Sequence, residues 1–173
     1  MPDKPKSSGT LRFLTTPLAA FLCAGADFWS KRWAEQNLIP HERVPFIPQL
    51  LNLNLTTNTG AAFSIGKDSS TVMTFLASLV TVILIAWYIS REKDKIKPDF
   101  LERTGIGFIL GGALGNLLDR FSKGCVTDFL DFAFIDFPVF NVADAMIDVG
   151  IGLVLISMLR QRPEAKEDSG VES

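Results

Sequence analysis

The sequence predicts an all-α integral membrane protein, with four transmembrane helices and a small β-containing extracytoplasmic segment. Three observations predict it. Four segments come close to the ~20 mostly apolar residues a helix needs to cross hydrocarbon. Lys and Arg gather in three regions that fall on one side of a four-span arrangement. The longest stretch between spans carries partial alternation, Leu51, Leu53 and Leu55. The chain has 173 residues, 47% of them hydrophobic, which suits a single membrane domain over residues 1–163. The last ten, 164–173, are polar apart from one alanine and one valine and are expected to form a disordered tail.

The first span is predicted near 13–31, in "FLTTPLAAFLCAGADFW" and the residues that follow. Lys4, Lys6 and Arg12 precede it, as in a signal peptide. Its apolar run continues into "ADFWSKRWA" with no cleavage site, so it reads as retained. The outer loop 34–69 follows, and its alternation predicts short strands. The second span, near 70–90, is "STVMTFLASLVTVILIAWYIS". The third, near 101–118, is short and glycine-rich. Gly107, Gly111 and Gly115 recur every four residues with Gly112 beside them, a spacing that lets helix backbones approach closely. A second outer loop, 119–138, leads to the fourth span, near 139–160. The loop "REKDKIKPDFLER" and Arg160, Arg162 and Lys166 complete the basic side, so both termini are expected in the cytoplasm. Trp87 and Tyr88 fit the inner interface, and Trp29 and Trp33 the outer one.

This topology gathers polar residues at one rim. Asp27 and Lys31 end the first span, and Asn58 and Gly60 lie in the first outer loop. Asn116, Asp119 and Arg120 end the third span. Asp128 lies in the second outer loop, and Asn141 and Asp144 begin the fourth span. Asn141, Asp144 and Asp148 follow helical spacing and share a face. That face must look into the bundle or a wet cleft, since a carboxylate in lipid is costly.

Two carboxylates held close resist double ionisation, so one keeps a proton while the other draws one from water. The protonated member hydrogen-bonds the carbonyl under attack. Such acid–base hydrolysis needs neither a covalent intermediate nor a metal, and no cofactor is expected. Asp144 on a helix and Asp128 on the loop before it make a plausible pair. Spacing leaves Asp119, Asp131, Asp136 and Asp148 as competitors.

Four motifs then match a family. "ADFWSK" (26–31) keeps Asp27 and Lys31 but departs at Phe28 and Trp29. "NTGAAFS" (58–64), "GNLLDR" with "GCVTDF" (115–129) and "FNVADAMIDVG" (140–150) match closely. Over nearly the whole chain except its tails, the sequence resembles the lipoprotein signal peptidases, or signal peptidase II, aspartic peptidases of the bacterial inner membrane. The resemblance implies Asp128 and Asp144 as the catalytic pair. It implies substrate-binding or stabilising roles for Asp27, Lys31, Asn58, Gly60, Asn116, Arg120, Asn141 and Ala143. It implies a diacylglyceryl-modified prolipoprotein as substrate, cut just before its lipidated cysteine near the periplasmic face, with membrane lipid as surroundings and globomycin-type peptides as inhibitors.

Other classes fit less well. The 17 Lys+Arg nearly cancel the 19 Asp+Glu, and no basic stretch interleaves with aromatics, which argues against nucleic-acid binding. Two cysteines make neither a disulfide framework nor a metal site. A thiol hydrolase built on Cys125 and His41 lacks an orienting third group. A proton relay or transporter using Asp144 and Asp148 would carry polar groups across the bilayer, and no internal repeat is present. A passive adaptor would need its aspartates only to hold helices together.

Overall fold

A computed structural model of the chain describes residues 9–60, 69–93 and 97–160. Its elements are α1 (Gly9–Asn37), β1 (Arg43–Ile47), β2 (Leu51–Asn58), α2 (Ser69–Arg91), α3 (Phe100–Lys123), β3 (Val126–Phe132) and α4 (Val142–Arg160). The protein is mostly helical with one small antiparallel sheet. Two helices, Ser70–Arg91 and Val142–Arg160, are long and apolar enough to cross a membrane. The helices α1 and α3 are long enough, each over ~30 Å at ~1.5 Å per residue. They fall short in apolar content, since Thr15, Thr16, Pro17 and Asp27 dilute α1, and glycines and Glu102, Arg103 and Asp119 dilute α3. The tail 164–173, Lys4, Lys6, Lys95, Arg162 and Lys166, and Ala61–Ser64 of the "NTGAAFS" motif lie outside the described residues.

Three boundaries differ from the sequence reading. The helix α1 runs on to Asn37, because nothing in "RWAEQN" breaks it. The helix α3 continues past residue 118 to Lys123 and stops only at Gly124, whose left-handed φ of 72° suits glycine. The segment 119–138 is therefore not a simple loop. It holds the end of α3 and the strand β3, which the sequence conceals because it lacks the alternation of a half-exposed strand: Val126–Phe129 are buried in succession. The helix α4 begins at Val142, with Asn141 as its cap.

The helix α3 is the centre of the bundle and packs against α1, α4 and α2. Its small residues make this possible. A Cβ on Gly111 would lie 2.5 Å from the Ala20 carbonyl oxygen of α1, and one on Gly112 2.5 Å from the Ala143 carbonyl oxygen of α4. Both neighbours are backbone and cannot step aside. Gly111→Ala is therefore expected to destabilise the bundle by about 1–3 kcal/mol, read by denaturation in detergent. Gly25→Ala, where a Cβ meets nothing within 4 Å, serves as the neutral control. At the far end of the bundle, Arg91 grips buried Glu102 at 2.6 and 3.1 Å, and Arg103 grips Glu92 in turn, so two forked pairs join α2 to α3.

The sheet has the order β1-β2-β3. Leu53 and Leu55 of β2 and Phe129 of β3 pack on Ala34 of α1, with Leu38, Leu130 and Val142 around them. This apolar contact seats the sheet on the C-terminal end of α1 and the N-terminal end of α4. Register pairs Thr56 with Asp128 and Asn58 with Val126, which brings Asn58 alongside Asp128.

Candidate active site

Asp128 sits in the middle of β3 and is 2% exposed. Its Oδ1 accepts a hydrogen bond from Asn141 Nδ2 at 2.6 Å and its Oδ2 one from Asn58 Nδ2 at 3.0 Å. The Asn58 side chain is aimed by a tight turn, for its Oδ1 accepts from the Gly60 N–H at 2.8 Å. Gly60 has a φ of 79°, and a Cβ there would run into Met73 of α2. Both constraints require glycine.

Asp144 lies in the first turn of α4 and forms a capping box with Asn141. The Asp144 N–H donates to Asn141 Oδ1 at 3.0 Å, and the Asn141 N–H returns to Asp144 Oδ2 at 3.3 Å. Asp144 Oδ1 accepts from Asn116 Nδ2 at 2.8 Å. Asn141 thus touches both aspartates, and its second Nδ2 proton goes to Asn116 Oδ1 at 3.1 Å. Asp128 and Asp144 share this asparagine without a direct hydrogen bond between them. The Asp128 carboxyl meets the side-chain amide of Asn141, and the Asp144 carboxyl meets its backbone N–H.

Behind the pair lies Lys31, 2% exposed. Its ammonium donates to Asp27 Oδ2 at 2.7 Å and Asn116 Oδ1 at 2.8 Å, and lies 3.4 Å from Asp119 Oδ2. A cation on Asn116 Oδ1 turns that residue's NH2 towards Asp144. Asp27 Oδ1 takes the Ala143 N–H at 3.0 Å, so another free amide of the first turn of α4 is satisfied from α1. Asp119 Oδ2 accepts the Thr127 N–H at 3.1 Å, next to Asp128. Asp119 Oδ1 lies 2.9 Å from Lys123, which also pairs with Glu35, and Glu35 accepts from the Thr127 hydroxyl at 2.7 Å. Sequence reasoning passed over Glu35, Lys123 and Thr127. The i,i+4 spacing of Asp119 with Lys123 carries part of the signal, whereas Glu35 reaches Lys123 and Thr127 only through the fold.

Eight of the ten residues singled out from the sequence meet in this network: Asp27, Lys31, Asn58, Asn116, Asp128, Asn141, Ala143 and Asp144. Gly60 supports it through Asn58. Arg120 is half-buried, and among the described residues its side chain has no partner. Lys31 and Lys123 occupy the carboxylate of its chain neighbour Asp119. Of the competing carboxylates, Asp131 is bound by Arg43 at 2.7 Å and Asn54 at 3.2 Å, and Asp136 is exposed. Asp148 is exposed on α4 and has no side-chain partner among the described residues. His41 and Cys125 line one cavity of 170 Å3 with Glu35. No hydrogen bond joins them among the described residues, and Glu35 is held by Lys123 and Thr127.

Burial pushes the Asp128 carboxyl up to about 6, and the charge of Asp144 adds to the rise. The amide donors of Asn58 and Asn141 and the nearby Lys31 oppose it. The folded protein therefore holds this proton more tightly than the unfolded chain. Stability is unaffected below the ordinary carboxyl range and is lost as pH climbs from about 4 through about 6. The loss amounts to about 2–3 kcal/mol at ~1.4 kcal/mol per pH unit of displacement. Asp128→Asn should be more stable than the parent at pH 8 by about that much, less its altered hydrogen bonding, and should lose the advantage by pH 4. Denaturation midpoints at the two pH values test this, and an equal gap at both would refute it.

The family model for Signal peptidase (SPase) II matches residues 19–160. The chain is 40% identical over 146 residues to the lipoprotein signal peptidase of Thermosynechococcus vestitus, covering 83% of this chain and 90% of that one. It is 36% identical over 150 residues to the lipoprotein signal peptidase of Enterococcus faecalis, covering 87% and 91%. A solved bacterial membrane enzyme structure superposes with a TM-score of 0.75 at 27% identity, covering 86% of this chain and 94% of that one. The matched span takes in every residue of the network just described, and the chain belongs to the signal peptidase II family of peptidases.

Proposed function

We propose that this protein removes the signal peptide from diacylglyceryl-modified prolipoproteins by aspartic acid–base hydrolysis, cutting just before the lipidated cysteine. The observation that carries the proposal is Asn141 bound to both Asp128 and Asp144 at one rim of the bundle. The relatives' name, lipoprotein signal peptidase, supports the substrate class. All four helices cross the inner membrane, both termini are cytoplasmic, and the site lies near the periplasmic face. A substrate that is itself a membrane helix bearing a lipid can then reach the site from within the bilayer.

Asp128, whose proton is held up to about 6, is the acid, and Asp144 is the base. Asp144 takes a proton from water while the water oxygen bonds to the scissile carbonyl carbon. Asp128 gives its proton to the carbonyl oxygen, which leaves a neutral gem-diol. The proton on Asp144 then passes to the amide nitrogen and the C–N bond breaks. One diol hydroxyl returns its proton to Asp128 as the new carboxyl forms. Asn116, Asn141 and Asn58 hold both carboxyls in place, and the second amide proton of Asn58 is available to the substrate backbone that must unwind there.

The test is cleavage by the purified, reconstituted protein of a diacylated precursor beside the same precursor without its lipid. Only the lipidated form should be cut, with the new N-terminus at the modified cysteine. Equal cleavage of both would overturn the substrate assignment.

A further inference from the structure

The capping network absorbs Asp27, Asn116, Asn141 and Asp144 and leaves Asp148 unexplained. Asp148 follows Asp144 by four residues, about 40° further round the helix and about 6 Å deeper, from a rise of ~1.5 Å per residue. It is exposed and has no side-chain partner among the described residues. The same strip of α4 continues through Ile151 and Leu155, both exposed. An adjoining side of α4 is occupied, since Ala143, Gly150 and Val154 are buried, with Ala143 and Gly150 against Gly112 and Gly105 of α3. The Asp144 side chain turns towards Asn116 of α3. The helix α2 packs on α3, and its Leu84, Trp87 and Tyr88 lie against the cluster of Ile106, Leu110 and Val154. An exposed strip of α4 therefore descends from Asp144, polar for one turn and apolar below, and a carboxylate on it needs a donor.

Resting on the proposed function, we propose that Asp148 is a specificity-determining residue that accepts a hydrogen bond from a side-chain hydroxyl on the signal-peptide side of the scissile bond. The signal peptide is the membrane-buried part of the substrate, so it runs down this strip from Asp144. An extended chain advances ~3.3 Å per residue, so a depth of about 6 Å places the hydroxyl about two residues before the cut. A serine or threonine there meets the carboxylate, and the apolar residues before it lie on Ile151 and Leu155. A substrate lacking the hydroxyl leaves Asp148 dry and unpaired, the situation in which a site rejects the analogue.

The test uses the full chain in lipid vesicles and two diacylated precursors that differ only in threonine or valine two residues before the cut. These side chains have nearly the same shape. The parent should cleave the threonine substrate with a kcat/KM about tenfold higher. Asp148→Ala should bring the ratio within about twofold of one while keeping cleavage of the valine substrate, and Asp148→Leu should favour valine. An unchanged ratio in Asp148→Ala, or a parent ratio near one, overturns the assignment of Asp148. Failure of the parent to cut either substrate overturns the proposed function instead.

Discussion

Asp128→Asn and Asp144→Asn should each lower the rate of precursor cleavage by at least about 10³-fold in a protein that still folds and inserts. General acid–base groups contribute ~10²–10⁴-fold, and an asparagine can neither give nor take a proton in this role. Shape is nearly conserved in both variants. At position 144 the new amide oxygen still accepts from Asn116 or Asn141, so the start of α4 is kept. At position 128 one oxygen faces Asn141 and the other Asn58, so the new NH2 must oppose an existing NH2. That local conflict costs about 1–3 kcal/mol. At pH 8 it is offset by the loss of a buried charge.

The double variant should be no slower than either single one, because the two carboxyls act as one unit. Uncut, lipid-modified precursor accumulating in cells would give the same answer. A passive adaptor predicts the opposite, with both variants retaining function. If either single variant still cleaves within about tenfold of the parent, the acid–base pair is wrong.

Much of this arrangement can be read from the sequence, and the reasons for the rest are physical. The helices α2 and α4 announce themselves through apolar runs, and Asn141 and Asp144 through helical spacing that puts them on one face. The small-residue spacing of α3 reads as close packing, and Gly111 and Gly112 do press on the backbones of α1 and α4. The strand β3 stays hidden because it is buried on both faces, a property of its neighbours and not of its own pattern. The choice among carboxylates is hidden for a similar reason. Asp119 and Asp131 are held in ion pairs by Lys31 of α1, Lys123 of α3 and Arg43 of β1, and linear spacing shows only the Lys123 pair. Ranking Asp128 first required the family resemblance.

Lys31→Met should be the most destabilising single change in this network, at about 3–5 kcal/mol. Methionine matches the length of the stem, so no large cavity opens. What disappears is the one cation shared by Asp27, Asn116 and Asp119. Asp27, 1% exposed, keeps only the Ala143 N–H as a donor among the described residues, while Asp119 retains Lys123. The cost therefore falls mainly on Asp27. Activity should fall by at least about 10²-fold even where the variant is folded. Without the ammonium, Asn116 is free to turn its oxygen towards Asp144, replacing a donor by an acceptor beside a carboxylate. Adding Asp27→Asn to Lys31→Met removes the stranded charge and should recover about half of the lost stability. It should not recover activity, because Asn116 remains unoriented. Denaturation in detergent and cleavage rates on the same samples separate the two effects. A Lys31→Met protein within about 1 kcal/mol of the parent would mean that water already solvates Asp27, and that α4 is held by its own cap alone.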